Sequence, residues 1–157
     1  MSNKNCAEII DRMNKGVAWG MLICGITYFI TAAESLIEPG RLNSILDIAR
    51  GIGVFLTMLI TFLACYPVIK LKISGKFMLT KEPESFLTEA MHSSFKNSWI
   101  VTMVLLVLLL AFNSVIDGWN VKPSFYFIML FGFMTTTAAA FFLHLTREED
   151  MEEELGE

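Results

Sequence analysis

Four stretches without a single Asp, Glu, Lys or Arg, at 16–33, 51–69, 97–116 and 123–146, cover more than half of this 157-residue chain. A helix crossing the hydrocarbon core of a bilayer needs about 20 mainly apolar residues. All four stretches meet or nearly meet that length. From Trp99 to Phe112 the only polar side chain besides the Trp ring nitrogen is Thr102, so this helix is apolar all round and must face lipid or other helices. The sequence therefore predicts an all-α membrane protein: an antiparallel bundle of four transmembrane helices, spanning about 16–37, 46–72, 97–117 and 123–146. The lipid bilayer is its first partner.

Spans of this size leave no segment long enough for a separate soluble domain. Residues 1–147 read as one transmembrane domain and 148–157 as an acidic, disordered tail. The tail holds seven of the sixteen acidic residues, so the net charge of −4 describes the tail and not the rest. No basic cluster is dense enough for nucleic acid. The first apolar run has full span length and no small-residue cleavage site after it, so it reads as a retained helix and not a signal peptide.

The charges between the spans give an orientation. With the N-terminus inside, Lys4, Arg12, Lys15, Lys70, Lys72, Lys76, Lys81, Lys96 and Arg147 are cytoplasmic, and only Arg41, Arg50 and Lys122 lie outside. Nine against three follows the positive-inside rule and puts both termini in the cytoplasm of a bacterial-type inner membrane. Cys6, Cys24 and Cys65 then miss the outer loops, which speaks against a structural disulfide and against enzymes that pass disulfides through outer-loop cysteine pairs.

Local signals refine the map. Ala7 to Met13 forms an amphipathic lead-in to the first span. Pro39-Gly40 marks a turn, the spacing of Leu42, Ile45, Leu46 and Ala49 starts the second helix ahead of its apolar run, and Pro67 is placed to kink it. Thr80 and Pro83 resemble a helix start, and Phe86, Leu87, Ala90, Met91 and Phe95 predict a short cytoplasmic interfacial helix before the third span. Trp19, Trp99, Trp119, Tyr66 and Tyr126 fall near span ends, as an aromatic belt requires.

Small residues recur every four positions in three spans: Gly16, Gly20 and Cys24; Ala49, Gly53, Thr57, Thr61 and Cys65; Gly132, Thr136, Ala140 and then His144. This spacing lets backbones approach closely. Gly16, Gly20, Gly53, Gly132, Thr136 and Ala140 are the expected helix-packing residues. Glu34 ends the first span and Asp117 the third, on the same side, with Thr27, Thr31 and Asn113 on their faces. Ionisable groups near membrane depth raise a functional hypothesis. Glu34, Asp117 and Asn113 are thus ion- or proton-binding candidates, with Arg41, Arg50 or Lys122 as counter-charges; the plainer alternative is that the carboxylates only end their helices in water.

His92, His144 and Cys65 fall near the cytoplasmic surface without a helical pairing motif, so no metal site and no haem is expected. Nucleophile-elbow, phosphate-loop and zinc-protease motifs are missing, as is a pair of intramembrane aspartates. No catalytic residue and no cofactor is assigned. The first functional expectation is a non-enzymatic, oligomerising accessory or regulatory/sensor subunit, binding a second copy or another protein through its helix faces and acidic tail. The alternatives are a homo-oligomeric small channel or transporter with an outer-side carboxylate site, and a membrane enzyme acting on lipid or quinone. The apolar middle of the third span cannot line a hydrated path, which ranks transport second.

Overall fold

A computed structural model of the chain describes residues 3–37, 40–73, 86–112, 114, 116, 118 and 121–155, with side chains placed between 7 and 147. It contains four long helices: α1 (Asn3–Leu36), α2 (Arg41–Ile73), α3 (Phe86–Ala111) and α4 (Pro123–Leu155). No strand occurs among the described residues. Each helix is long and apolar enough to cross a membrane. The protein is an all-α, four-helix integral membrane protein.

The helix ends follow from their residues. α1 closes on a tight bond from the Ile37 amide to the Glu34 carbonyl, 3.2 Å. α2 opens where the Gly40 carbonyl accepts the Ser44 amide at 3.2 Å, and it runs through Pro67 to Ile73 as one helix. Proline has no N–H to give the Leu63 carbonyl, a loss tolerated in membrane helices. Pro123 occupies the first position of α4, where its missing N–H would have had no intrahelical partner.

Three boundaries differ from the sequence reading. The lead-in 7–13 is continuous with α1. The stripe Phe86 to Phe95 forms the first turns of α3 and not a helix of its own, because neither Gly nor Pro interrupts the stretch from Phe86 to Ala111. The expected start at Thr80 and Pro83 lies outside the described residues. The backbone of α4 stays helical to Leu155, through most of the acidic stretch assigned to a tail.

The packing is uneven. α1 lies between α2 and α4, α3 packs on α4 and touches α1 lightly, and α2 meets neither α3 nor α4 among the described residues. Ala18 of α1, Ala90 and Met91 of α3 and Phe142 of α4 form the buried core, flanked by Val17, Met21, Leu87, Leu143 and Leu145. No residue of α2 is buried.

In hydrocarbon there is no hydrophobic drive between helices, so association depends on close van der Waals contact and interhelical hydrogen bonds. α1 achieves close contact on two opposite sides. At about 100° per residue, Gly16, Gly20 and Thr27 share one side and Ala18, Gly25 and Ala32 the other. On the first side, a Cβ added to Gly16 would lie 2.6 Å from the Ala64 Cβ, and one on Gly20 2.7 Å from the Thr61 hydroxyl. Gly53 of α2 receives Thr27 in the same way. On the second side a Cβ on Gly25 would run into the Thr136 hydroxyl and come 2.9 Å from the Gly132 carbonyl.

α3 and α4 are joined by hydroxyls. Ser98, almost fully buried, donates to the Met134 carbonyl at 2.6 Å and sits 2.9 Å from the Thr137 hydroxyl. Beyond these seams the surface is greasy all round, with Phe55, Phe62, Val107, Leu110 and Phe127 all exposed. An apolar surface of that extent belongs in lipid.

Gly25→Ala should lower the unfolding temperature in detergent, because one methyl forces the α1–α4 backbones apart at a cost of about 1–3 kcal/mol. Gly51→Ala is the matched control: nothing lies within 4 Å of its added Cβ, and the gain in helix propensity of up to ~1 kcal/mol should hold or raise stability. Equal losses for the two variants would contradict the glycine contact.

Candidate functional site

Two carboxylates near the α1–α2 turn, Glu34 and Asp47, converge on Arg50. Glu34, in the last turn of α1, and Arg50, nine residues into α2, face each other because the two helices are antiparallel. Arg50 Nη1 donates to Glu34 Oε2 at 2.7 Å, and Nη2 donates to Asp47 Oδ1 one turn earlier on α2. The Glu34 side chain is only 15% exposed, against 58% for Asp47. The Arg50–Glu34 bond is thus the shielded half of the triad.

This geometry changes the standing of Glu34. A carboxylate that accepts a charge-assisted bond from a guanidinium is already neutralised, so an incoming cation would have to displace Arg50. Of the three counter-charges considered from sequence, Arg50 is the one paired with Glu34. Asp117 and Asn113 lie outside the described residues, so nothing places them beside Glu34.

A cleft of about 250 Å³ opens along the α1–α2 seam just beyond this pair. Cys24, Thr27 and Thr31 line it from α1, and Arg50, Val54 and Thr57 from α2. The Thr27 hydroxyl donates to the Ile23 carbonyl at 2.7 Å, and that of Thr31 to the Thr27 carbonyl at 2.9 Å. This back-bonding is the usual fate of a hydroxyl inside a helix. Thr57 departs from it: its Oγ1 is buried and has no hydrogen-bond partner. A buried polar group left unsatisfied costs about 1–3 kcal/mol.

The packing candidates separate into those at seams and one that is not. Gly16, Gly20 and Gly53 lie in the α1–α2 contact, and Gly132 and Thr136 against Gly25 and Tyr28 in the α1–α4 contact. Ala140 is exposed, whereas Ala138 and Ala139 are buried. The reason is angular. A four-residue step overshoots one helical turn by about 40°, so two steps from Gly132 swing Ala140 off the seam, while seven residues bring Ala139 back to it.

Other contact residues escaped the sequence reading. Gly25 belongs to a seven-residue ladder, Ala18-Gly25-Ala32, hidden beside the four-residue series on the opposite side of α1. Ser94 and Ser98 continue a small-residue series from Ala90 to Thr102, so α3 has such a face too. Tyr126, assigned to an aromatic belt, has its hydroxyl buried without a partner.

His92 lines a cavity of about 270 Å³ with Ile10, Asn14 and Thr88. His144 lines a separate groove on α4 with Thr137 and Phe141, and Cys65 is half-buried in α2. No three His, Cys, Asp or Glu side chains among the described residues are grouped to hold a metal. In comparisons with protein-family models, curated proteins and solved structures, nothing matches the chain.

The Arg50–Glu34 bond should appear as coupling in a double-mutant cycle. Glu34→Gln and Arg50→Gln are each expected to destabilise the detergent-solubilised protein, by an amount between the ~0.5 kcal/mol of an exposed pair and the ~3 kcal/mol of a buried one. The double variant should lose less than the two singles combined. Strict additivity would mean the two groups do not interact.

Proposed function

We propose that this protein is a small multi-pass, non-enzymatic membrane subunit that oligomerises and serves an accessory or regulatory/sensor role. The observation that carries this reading is the position of α2. It is a 33-residue apolar helix that, among the described residues, packs on α1 and on no other helix. Its free side carries Ile48, Ile52, Phe55, Leu59 and Phe62, with Gly51 open among them. A ridge of large side chains beside an open glycine is a surface on which another helix packs closely.

Several internal polar groups fit the same reading, although the hydroxyls of Thr57, Tyr126 and Thr136 are buried without a partner. Thr27, Thr31, Ser94, Thr102 and Thr137 bond to carbonyls of their own helices, Ser98 bonds across to α4, and Glu34 is matched by Arg50. These groups act as fasteners between and within helices. They do not form a row of free ligands such as a conduction path requires, which keeps transport through Glu34, Asp117 and Asn113 in second place. In this proposal both termini are cytoplasmic, in an inner membrane, and the acidic segment 148–157 is free to meet a protein partner.

Native mass spectrometry of the full chain from mild detergent should give a defined oligomer or a stoichiometric protein complex. Cysteines placed at Phe55 or Phe62 should cross-link α2 to that neighbour in membranes. A monomer with no co-purifying protein and no cross-link at either position would defeat the proposal. Removing 148–157 should reduce recovery of a heterologous partner and leave self-association unchanged.

A further inference from the structure

α2 has two faces, and among the described residues its own chain covers only one. The covered face meets α1 through Arg50, which bonds to Glu34, through Thr57, which lines the α1–α2 cleft, and through Ala64, which lies against Gly16. These positions are seven residues apart, the period of a left-handed coiled pair. The opposite face keeps the same period. Starting at Ile45 and stepping alternately by three and four residues, all nine positions as far as Ile73 hold Ile, Leu, Phe or Tyr. Each is between 41% and 82% exposed. In heptad terms they are the a and d positions, and Arg50, Thr57 and Ala64 are f, directly across the helix. An a/d seam sustained over about four heptads is the pattern of a helix that packs on another along its whole length.

Apolarity alone does not set this face apart, since any side of α2 that meets lipid must be greasy. Stiffness and close flanks do. Five of the nine residues are Ile, whose χ1 is nearly fixed in a helix, so the ridge is shaped before a partner arrives. Ser44, Ala49 and Gly51 flank its outer end and let a facing backbone come close. Nothing lies within 4 Å of a Cβ added to Gly51.

A seam of this kind meshes with a helix carrying the same repeat at the same depth. A second copy of the chain supplies that helix by symmetry. All copies cross a membrane in one orientation, so two α2 helices meet parallel, with Phe55 opposite Phe55 and Phe62 opposite Phe62. Charge permits the pairing. Between Arg50 and Lys70 α2 has no ionic residue, and Arg50 is turned toward Glu34 of α1, so no like charges meet along the middle of the seam. Area permits it as well. At about 200 Å² for the surface of a large apolar residue, the nine positions expose on the order of 1,000 Å², against the ~800 Å² that each partner gives to a standard specific interface. We propose that two copies of this protein pair through the 45–73 face of α2, as a parallel, symmetric helix pair. The inference rests on the oligomerising reading above and names its partner and its surface.

Disulfide trapping in membranes tests the pairing. In a Cys6→Ala, Cys24→Ala, Cys65→Ala background, one of Ile52→Cys, Phe55→Cys, Leu59→Cys or Phe62→Cys places a single thiol on the seam. Val54→Cys is the control, 44% exposed but off the seam. Mild oxidation should give a species of twice the chain mass from each seam position and little from Val54→Cys. In native mass spectrometry, Phe55→Ala with Phe62→Ala should raise the monomer–dimer Kd at least about tenfold through lost van der Waals contact. Both rings are exposed, so the unfolding temperature of the protomer should hold, and the same measurement confirms that every variant folds. Equal trapping at Val54 and along the seam means random collision and overturns the pair. A dimer by mass that no seam cysteine traps, or an unchanged Kd, overturns the α2 face and leaves the oligomerising reading standing. Trapping to a different protein overturns the second copy as occupant and leaves the accessory reading standing. A monomer with no co-purifying protein and no trapped species defeats both.

Discussion

Close approach of backbones on two opposite sides of α1 is the constraint from which the rest of the arrangement follows. A membrane helix gains nothing by hiding leucine from lipid, so a seam must offer contacts that lipid tails cannot match. Gly16 and Gly20 admit Ala64 and Thr61 on one side, and Gly25 meets Gly132 and Thr136 on the other. With both sides of α1 occupied, α2 and α4 are kept apart, and α3 is left to pack on α4. Among the described residues α2 is held along one side only, which follows from placing the glycines on α1.

Once that seam is closed, the polar groups act within it. Thr27 seats against Gly53, which sets the register that brings Glu34 opposite Arg50 further along the same two helices. The ion pair then fixes the α1–α2 register at the turn end, where a one-residue slip would separate the charges. The same register encloses the cleft between Arg50 and Met58. Ion pair and cleft are consequences of one antiparallel contact.

Much of this was legible residue by residue. The spans could be read because hydropathy is a local property, and the start of α2 near Leu42 because helical spacing preceded the apolar run. Gly16, Gly20, Gly53 and Gly132 could be named because small residues at four-residue spacing are conspicuous. Ala140 misled for the same reason, since the four-residue template ignores the drift of a 3.6-residue helix. Gly25 was missed because its ladder has a seven-residue period. Ser98 was missed because serines near a polar segment look like the end of a span and not like a seam. Arg50 was one of three possible counter-charges, and only the facing of α1 and α2 distinguished it.

The sequence by itself determined that the chain builds four helices long and apolar enough for a bilayer, and roughly where each begins. The underlying physics, the desolvation of the backbone and the cost of charge in hydrocarbon, acts on each segment separately. Only the tertiary structure decided which sides meet, that Glu34 is matched by Arg50, that among the described residues α2 leans on α1, and that the Thr57 hydroxyl is buried without a partner. Those outcomes depend on the rotation of each helix about its axis, and rotation is settled by contacts between residues far apart in the chain.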